Sequence, residues 1–289
     1  MLPAVARLLR PSHWVKNVFV LAPLVFAEKL TDPASLTSAL LAFLVFCGAS
    51  STVYVFNDIL DREEDRRHPL KRHRPVASGA VPVPAAAALA ALLAAGSLAG
   101  ALLASPAVAA VAAVYLLLNL AYSARLKHVV ILDVMIISLG FLLRVLAGAE
   151  AIRVELSAWL LLCTLFLSLF LAFSKRRHEL ILLNEAAAGQ RPVLSHYSPA
   201  FLDQMTNVVT ASTVIAYALY CVAPETVARF GTGALVYTVP FVLFGVFRYL
   251  YLIYQTRSPR NPTEAVLSDL PSLANLLLWV FAVTAIVYR

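Results

Sequence analysis

Nine residues starting at Asn57, NDILDREED, put five acids and one amide where an apolar run from Ser35 to Phe56 ends. On a helix, Asp58, Asp61 and Asp65 fall at i, i+3 and i+7, so their carboxylates share a face. Three carboxylates on one face repel each other unless positive charge sits among them. Oxygen ligands suit Mg2+, which usually brings substrate phosphates with it. A solvated helix end is the plainer alternative. It accounts for Glu63 and Glu64, since Glu63 points away and can pair with Arg67 at i+4. It does not call for three aspartates on one stripe beside an apolar span, so the metal reading is the stronger one for Asp58, Asp61 and Asp65.

Shortly afterwards His68 to Pro75 carries Lys71, Arg72 and Arg74 between Pro69 and Pro75, ahead of Ser78-Gly79. Acid for a metal followed by base for phosphate suggests a diphosphate site. Anchoring at a membrane surface would explain the charge, but the proline punctuation points to a shaped loop.

Other polar groups admit two readings each. Lys16 and Asn17 follow Trp14 and either reach a headgroup or mark the interface. Tyr122 and Lys127, in the segment Tyr122 to His128, either touch phosphate or anchor. Lys175-Arg176-Arg177-His178-Glu179 is basic, with one acid at i+4 from Lys175. Asp133 and Arg144 stand three helical turns apart, on one face with Gly140. Ionisable residues in a span normally face a bundle interior or polar cavity, and a structural link to neighbouring helices is an equal reading. Arg248, near Tyr249, Tyr251 and Tyr254, is expected to have an inward partner.

The elements that must carry these groups are apolar. The chain is 61% hydrophobic and 13% charged, with mean hydropathy +0.81, which excludes a soluble domain of this size. The net charge of +7 is no sign of nucleic-acid binding, because in a membrane protein its location matters more than its sum. Cys47, Cys163 and Cys221 lie in apolar segments without metal spacing and read as buried hydrophobes. The basic N-terminus before an apolar run mimics a signal peptide, but it lacks a small-x-small cleavage pattern and reads as a retained span.

Hydropathy predicts nine membrane helices in a single helical domain, residues 1–289. They are Trp14–Ala27, Ser35–Asn57, Val83–Ala104, Pro106–Tyr122, Val129–Ala149, Ala158–Phe173, Ala200–Val222, Gly233–Tyr254 and Leu270–Tyr288. With a cytoplasmic N-terminus, 17 of the Lys and Arg residues fall on inside segments and 4 on outside ones. All six histidines fall inside too. The bias predicts N-terminus in, C-terminus out, and function at the cytoplasmic face of the cell membrane.

Together these motifs resemble the UbiA-type intramembrane prenyltransferase superfamily, with its NDxxDxxxD motif at the end of the second of nine helices. Within it the chain is most similar to the decaprenyl-phosphate phosphoribosyltransferase branch. RPxxWxKN matches Arg10 to Asn17. NDxxDxxxDxxHPxKRxRPxAxG matches Asn57 to Gly79. Tyr122 to His128, Leu143 to Gly148, Lys175-Arg176 with Glu179-Leu180, and Tyr197-Ser198 complete the resemblance, which covers the whole chain.

The resemblance implies Mg2+ held by Asp58, Asp61 and Asp65 with help from Asn57. It implies transfer of phosphoribose from phosphoribosyl diphosphate to a polyprenyl phosphate, as a step towards an arabinose donor for cell-wall polysaccharide. Asp58, Asp61, Lys71 and Arg74 would carry the chemistry. Lys16, Asn17, Arg72, Tyr122, Lys127, Arg144, Lys175 and Arg176 would join Asn57 in binding substrate. A homo-oligomer is left open.

One departure separates the chain from the aromatic prenyltransferases, which have a second aspartate-rich motif after the sixth helix. Here Lys175, Arg176 and Arg177 stand in that place. More base implies more substrate phosphate to neutralise, which favours phosphoribosyl transfer. Prenyl transfer to an aromatic acceptor is the nearest rival. A transporter of anionic metabolites is the rival of another class; it would explain Asp133 and Arg144, but paired interrupted helices in two matching halves are missing.

Overall fold

The computed structural model describes residues 2–69, 71–185, 192–255 and 268–288. Every regular element among them is helical. The contacts divide the chain into two compact units, Met1–Leu156 and Ser157–Arg289.

The first unit opens with α1 (Leu2–Leu9), a 3-10 helix (Pro11–Leu21) and α2 (Ala22–Phe26). Then come α3 (Pro33–Leu60), α4 (Arg62–Arg67), a 3-10 turn (Lys71–His73), α5 (Val83–Ala104) and α6 (Pro106–Ala124). A second 3-10 turn (Leu126–His128) leads into α7 (Leu132–Ile152). The second unit holds α8 (Ala158–Glu185), α9 (Pro199–Val222), α10 (Pro224–Phe230), α11 (Val239–Gln255) and α12 (Leu270–Val287).

The long helices begin in a recurring way. Asp32, Ser105, Ser198 and Asp269 cap α3, α6, α9 and α12, each accepting a backbone N–H three residues on. Proline occupies the first or second helical position in all four, where its missing N–H leaves no bond unmade. Hydrogen bonds from Ser35 hold the Asp32 carboxyl below its ordinary range.

Eight helices are long and apolar enough to cross a membrane, by length and composition, among the described residues. The expected first span, Trp14–Ala27, falls instead on the 3-10 helix and α2. An eleven-residue 3-10 helix is long for its type. Its steeper rise stretches Pro11–Phe26 to about 30 Å, close to the thickness of a bilayer's hydrocarbon core.

Small residues set how closely the first unit packs. A Cβ on Gly148 of α7 would lie 1.9 Å from the Val20 carbonyl oxygen, so the 3-10 backbone rests directly on that glycine. A Cβ on Gly48 of α3 would lie 2.4 Å from Ser97 Oγ of α5. Around these contacts Val20, Phe46, Ala49, Ala112, Tyr115 and Ala147 form one buried cluster.

Two expectations need correction. The sixth helix does not stop at Phe173 but runs to Glu185, so Lys175, Arg176 and Arg177 lie on α8 and not in a loop. Helix-forming Lys, Arg, Glu and Leu continue it. Lys175 and Arg176 approach Glu179 at 3.9 and 2.8 Å, pairings that a helix alone provides. Glu63 pairs with Arg66 at 3.0 Å, one residue short of the expected Arg67, because the six-residue α4 ends at Arg67.

In the second unit Arg248 meets Asp269 in a bidentate pair at 2.8 and 3.1 Å, at the capped start of α12 and not in the helix interior where the sequence predicts an inward partner. Hydrogen bonds from Arg248 and then Ser272 hold the Asp269 carboxyl well below its ordinary range. Arg177 of α8 joins Asp203 of α9 and lies 3.9 Å from the ring centroid of Tyr254 on α11. The three cysteines are free.

Candidate active site

The acidic motif occupies a joint. α3 ends at Leu60, Asp61 is its cap, and α4 starts at Arg62. Helical hydrogen bonding carries across the joint: Asp61 N–H donates to the Asn57 carbonyl at 2.9 Å, and Asp65 N–H to the Asp61 carbonyl at 2.7 Å. Asp58 and Asp65 therefore stay on one face, as the spacing predicts. Both are buried, 1% and 2% exposed. Asp61 turns outward at the break and is 26% exposed.

Each carboxylate has a cation from elsewhere in the unit. Arg74 Nη1 lies 2.7 Å from Asp65 Oδ2 and 3.3 Å from Asp58 Oδ1. Arg10 Nη2 also donates to Asp58 Oδ1. Lys127 Nζ lies 2.6 Å from Asp61 Oδ1. Among the described residues, ion pairs set three cations against the three aspartates, so their formal charges cancel.

The loop carrying Arg74 is shaped from beneath. Val76 and Val81 are buried with Ala4 and Leu8 of α1, Val55 of α3 and Ala86 of α5. Arg66 Nε donates to the Ala77 carbonyl at 3.0 Å. Gly79 takes φ 78°, a conformation that favours glycine, and lets the chain turn back towards α5. This is the shaped loop that Pro69, Pro75 and Ser78-Gly79 imply. Arg72 is exposed, and Lys71 is half-buried with its N–H on His68 Nδ1 at 3.2 Å.

Arg10 was not among the residues that sequence reasoning picked out, although it heads the RPxxWxKN segment. Its φ of 52° puts it in the left-handed region, at a cost of about 1–2 kcal/mol for a residue with a Cβ. Charge counting would call for a cation there but would not single out Arg10, which lies 48 residues from Asp58.

Asn17 and Arg144 come together elsewhere in the unit. Asn17 is fully buried, and Arg144 is 5% exposed. Arg144 donates to Asn17 Oδ1, the Gly140 carbonyl and the Tyr115 hydroxyl, all at 2.8 Å. The Asn17 amide donates to Ser50 Oγ at 3.2 Å. The pair thus ties the 3-10 helix, α3, α6 and α7 together. Lys16, Asn57 and Tyr122 are half-buried. On α8, Arg176 is buried with Glu179, whereas Lys175 is 43% exposed. Asp133 is fully buried on α7.

Among the described residues, no three of His, Cys, Asp and Glu come close enough to hold a metal ion by themselves. Asp58 and Asp65 do converge, since one Arg74 nitrogen touches both. Two carboxylates with an amide nearby fit Mg2+, which takes one or two carboxylates and completes its shell with phosphate oxygens and water.

A model of the UbiA prenyltransferase family matches residues 18–287. A decaprenyl-phosphate phosphoribosyltransferase from Corynebacterium glutamicum is 37% identical over 285 residues, spanning 97% of this chain and 85% of that protein. One from Mycobacterium tuberculosis is 35% identical over 291 residues, spanning 99% and 95%. Among solved structures, a UbiA homolog from Archaeoglobus fulgidus bound to GPP and Mg2+ has a TM-score of 0.75 at 21% identity, covering 99% of this chain and all of that one. That likeness bears on the fold alone.

Proposed function

This chain belongs to the UbiA prenyltransferase family, and we propose that it moves 5-phosphoribose from phosphoribosyl diphosphate to a polyprenyl phosphate. The observation that carries this reading is the near-full-length similarity to decaprenyl-phosphate phosphoribosyltransferases. The product is a polyprenylphosphoryl phosphoribose, a lipid-linked precursor of an arabinose donor for envelope polysaccharide.

Asp58 and Asp65, with Asn57, would hold Mg2+; Asp61, expected as a third ligand, turns outward to Lys127 instead. When bound, the ion neutralises charge on the departing diphosphate. Arg74 touches both carboxylates and is the basic side chain best placed to pass to a diphosphate oxygen. Arg72 and Lys71 follow it on the same shaped loop. Lys127, held on Asp61, is a second cation at the rim of the cluster. The acceptor phosphate is already an anion at neutral pH, so its oxygen attacks C1 of the ribose without a strong general base. The C1–O bond to diphosphate breaks as the new C1–O bond forms.

Asn17 and Arg144 act from below by fixing the 3-10 helix that leads back to Arg10. On the second unit, Lys175 is the more accessible phosphate-binding candidate, and Arg176 the less. The chain would be a multi-pass membrane transferase, with Pro11–Phe26 as a ninth span and the acidic motif facing the cytoplasm. Prenyl transfer to an aromatic acceptor would use the same carboxylates but gives the exposed Lys175 fewer phosphates to meet.

The test is direct. Purified protein receives labelled phosphoribosyl diphosphate, a polyprenyl phosphate and Mg2+, and the lipid fraction is weighed by mass spectrometry. Gain of one phosphoribosyl group by the lipid is the expected result. Transfer only from a prenyl diphosphate to an aromatic acceptor would replace this reading with its rival.

A further inference from the structure

Arg10 is held in place from both sides. Ser51 Oγ donates to the Leu9 carbonyl at 2.9 Å and accepts from Trp14 Nε1 at 3.0 Å. His13 N–H donates to the Arg10 carbonyl at 2.9 Å. Between these anchors the backbone takes its left-handed turn, and the guanidinium lies 5.0 Å from the ring centroid of Tyr54, one helical turn before Asp58. It is thereby aimed at Asp58 Oδ1, the oxygen that Arg74 also reaches.

Two like charges on one oxygen repel, and the arrangement has a consequence for what can bind. Among the described residues, the formal charges of Asp58, Asp61 and Asp65 are matched by the paired Arg10, Arg74 and Lys127. A divalent cation entering alone makes the cluster doubly positive and competes with Arg10 and Arg74 for the same oxygens. A diphosphate entering with it removes that excess and offers the displaced guanidiniums new partners.

We propose that Arg10 is a positioning residue that makes metal and diphosphate bind together: it penalises the metal alone and favours the metal–diphosphate pair. The inference rests on the assignment of Mg2+ to Asp58 and Asp65. Such coupling is reciprocal, so the metal must strengthen diphosphate binding by the same factor.

The test uses the purified full chain in detergent, with Mn2+ as the probe, read by electron paramagnetic resonance with and without inorganic pyrophosphate. In the unaltered chain, pyrophosphate should tighten Mn2+ binding. Arg10→Gln should bind Mn2+ alone about ten-fold more tightly and lose a similar factor of the gain from pyrophosphate. A merely structural role would weaken Mn2+ binding or leave it unchanged. Arg10→Lys, which keeps the charge, should keep most of the coupling. Unaltered coupling in Arg10→Gln overturns the proposal. If Arg10→Gln does not fold, Arg10→Met, which keeps the aliphatic stem and removes the same charge, carries the same expectation, and unaltered coupling there is equally fatal. If the unaltered chain and Asp58→Asn take up Mn2+ identically, the metal assignment itself fails and this inference falls with it.

Discussion

Asp58 accepts two guanidinium groups on one oxygen while almost wholly buried. Asp58→Asn keeps the shape and removes the charge, leaving Arg10 and Arg74 facing each other with less to hold them. Because both arginines are partly exposed, the expected loss of stability is modest, about 1–2 kcal/mol. Turnover should fall by at least about a hundred-fold even at saturating Mg2+. Unfolding in detergent and lipid-product formation measure the two effects separately, and near-normal turnover would remove Asp58 from the metal site. The α8 cations should part company. Lys175→Gln, at an exposed position, should leave stability unchanged and lower kcat/KM about ten-fold if it meets a phosphate. Arg176→Gln removes a buried guanidinium and its 2.8 Å bond to Glu179, and should lower stability first. Intact transfer in Lys175→Gln would make this stretch an anchoring patch.

Gly148 decides how the 3-10 helix lies on α7. Gly148→Ala drives a methyl group into the Val20 carbonyl, and backbone on both sides resists the shift. A loss of about 2–3 kcal/mol is expected, read as a lower Tm. Gly96→Ala on α5, where a Cβ meets nothing within 4 Å, is the control and should be neutral or slightly stabilising. At the start of α12, Asp269 is ionised more readily than in an unfolded chain because Arg248 and Ser272 donate to it. A lowered folded pKa means that this stabilisation is present above the unfolded value of about 3.9 and fades as pH falls below it. The Tm difference between the unaltered chain and Asp269→Asn should therefore be open at pH 6 and narrow progressively as pH falls below about 4. A difference that stays constant through that window would contradict the ion pair.

Orientation belongs to the whole molecule. The charge bias predicts a cytoplasmic acidic motif, and exposed positions on either side of the span pattern test it. Ala80→Cys, beside Gly79, should react with an impermeant thiol reagent only from the cytoplasmic face. Ala228→Cys, on α10, should react only from the other. Labelling of both from one side would break the run of five spans, α5 to α9, that lies between them. Mg2+-dependent turnover in detergent, where no vesicle separates two compartments, would set the enzyme apart from an anion transporter.

What could be read without coordinates was local. Apolar runs of membrane length, the shared face of Asp58 and Asp65 and the shaped loop before α5 all follow from spacing within one segment. The extension of α8 was missed because charge looked like a loop boundary, whereas Glu179 pairs those cations along the helix. Partners distant in sequence were not legible. Arg10 meets Asp58 across 48 residues, Lys127 meets Asp61 across 66, and Arg144 meets Asn17 across 127. Periodicity says which face a side chain occupies but not which element packs there. Packing of α1, the 3-10 helix, α3 and α7 made that choice, through glycine contacts and a strained turn at Arg10. The sequence by itself determined a helical membrane protein with an acidic motif and cations enough to neutralise it. Only the tertiary structure decided which cation meets which carboxylate, because ion pairing depends on distances that folding alone sets.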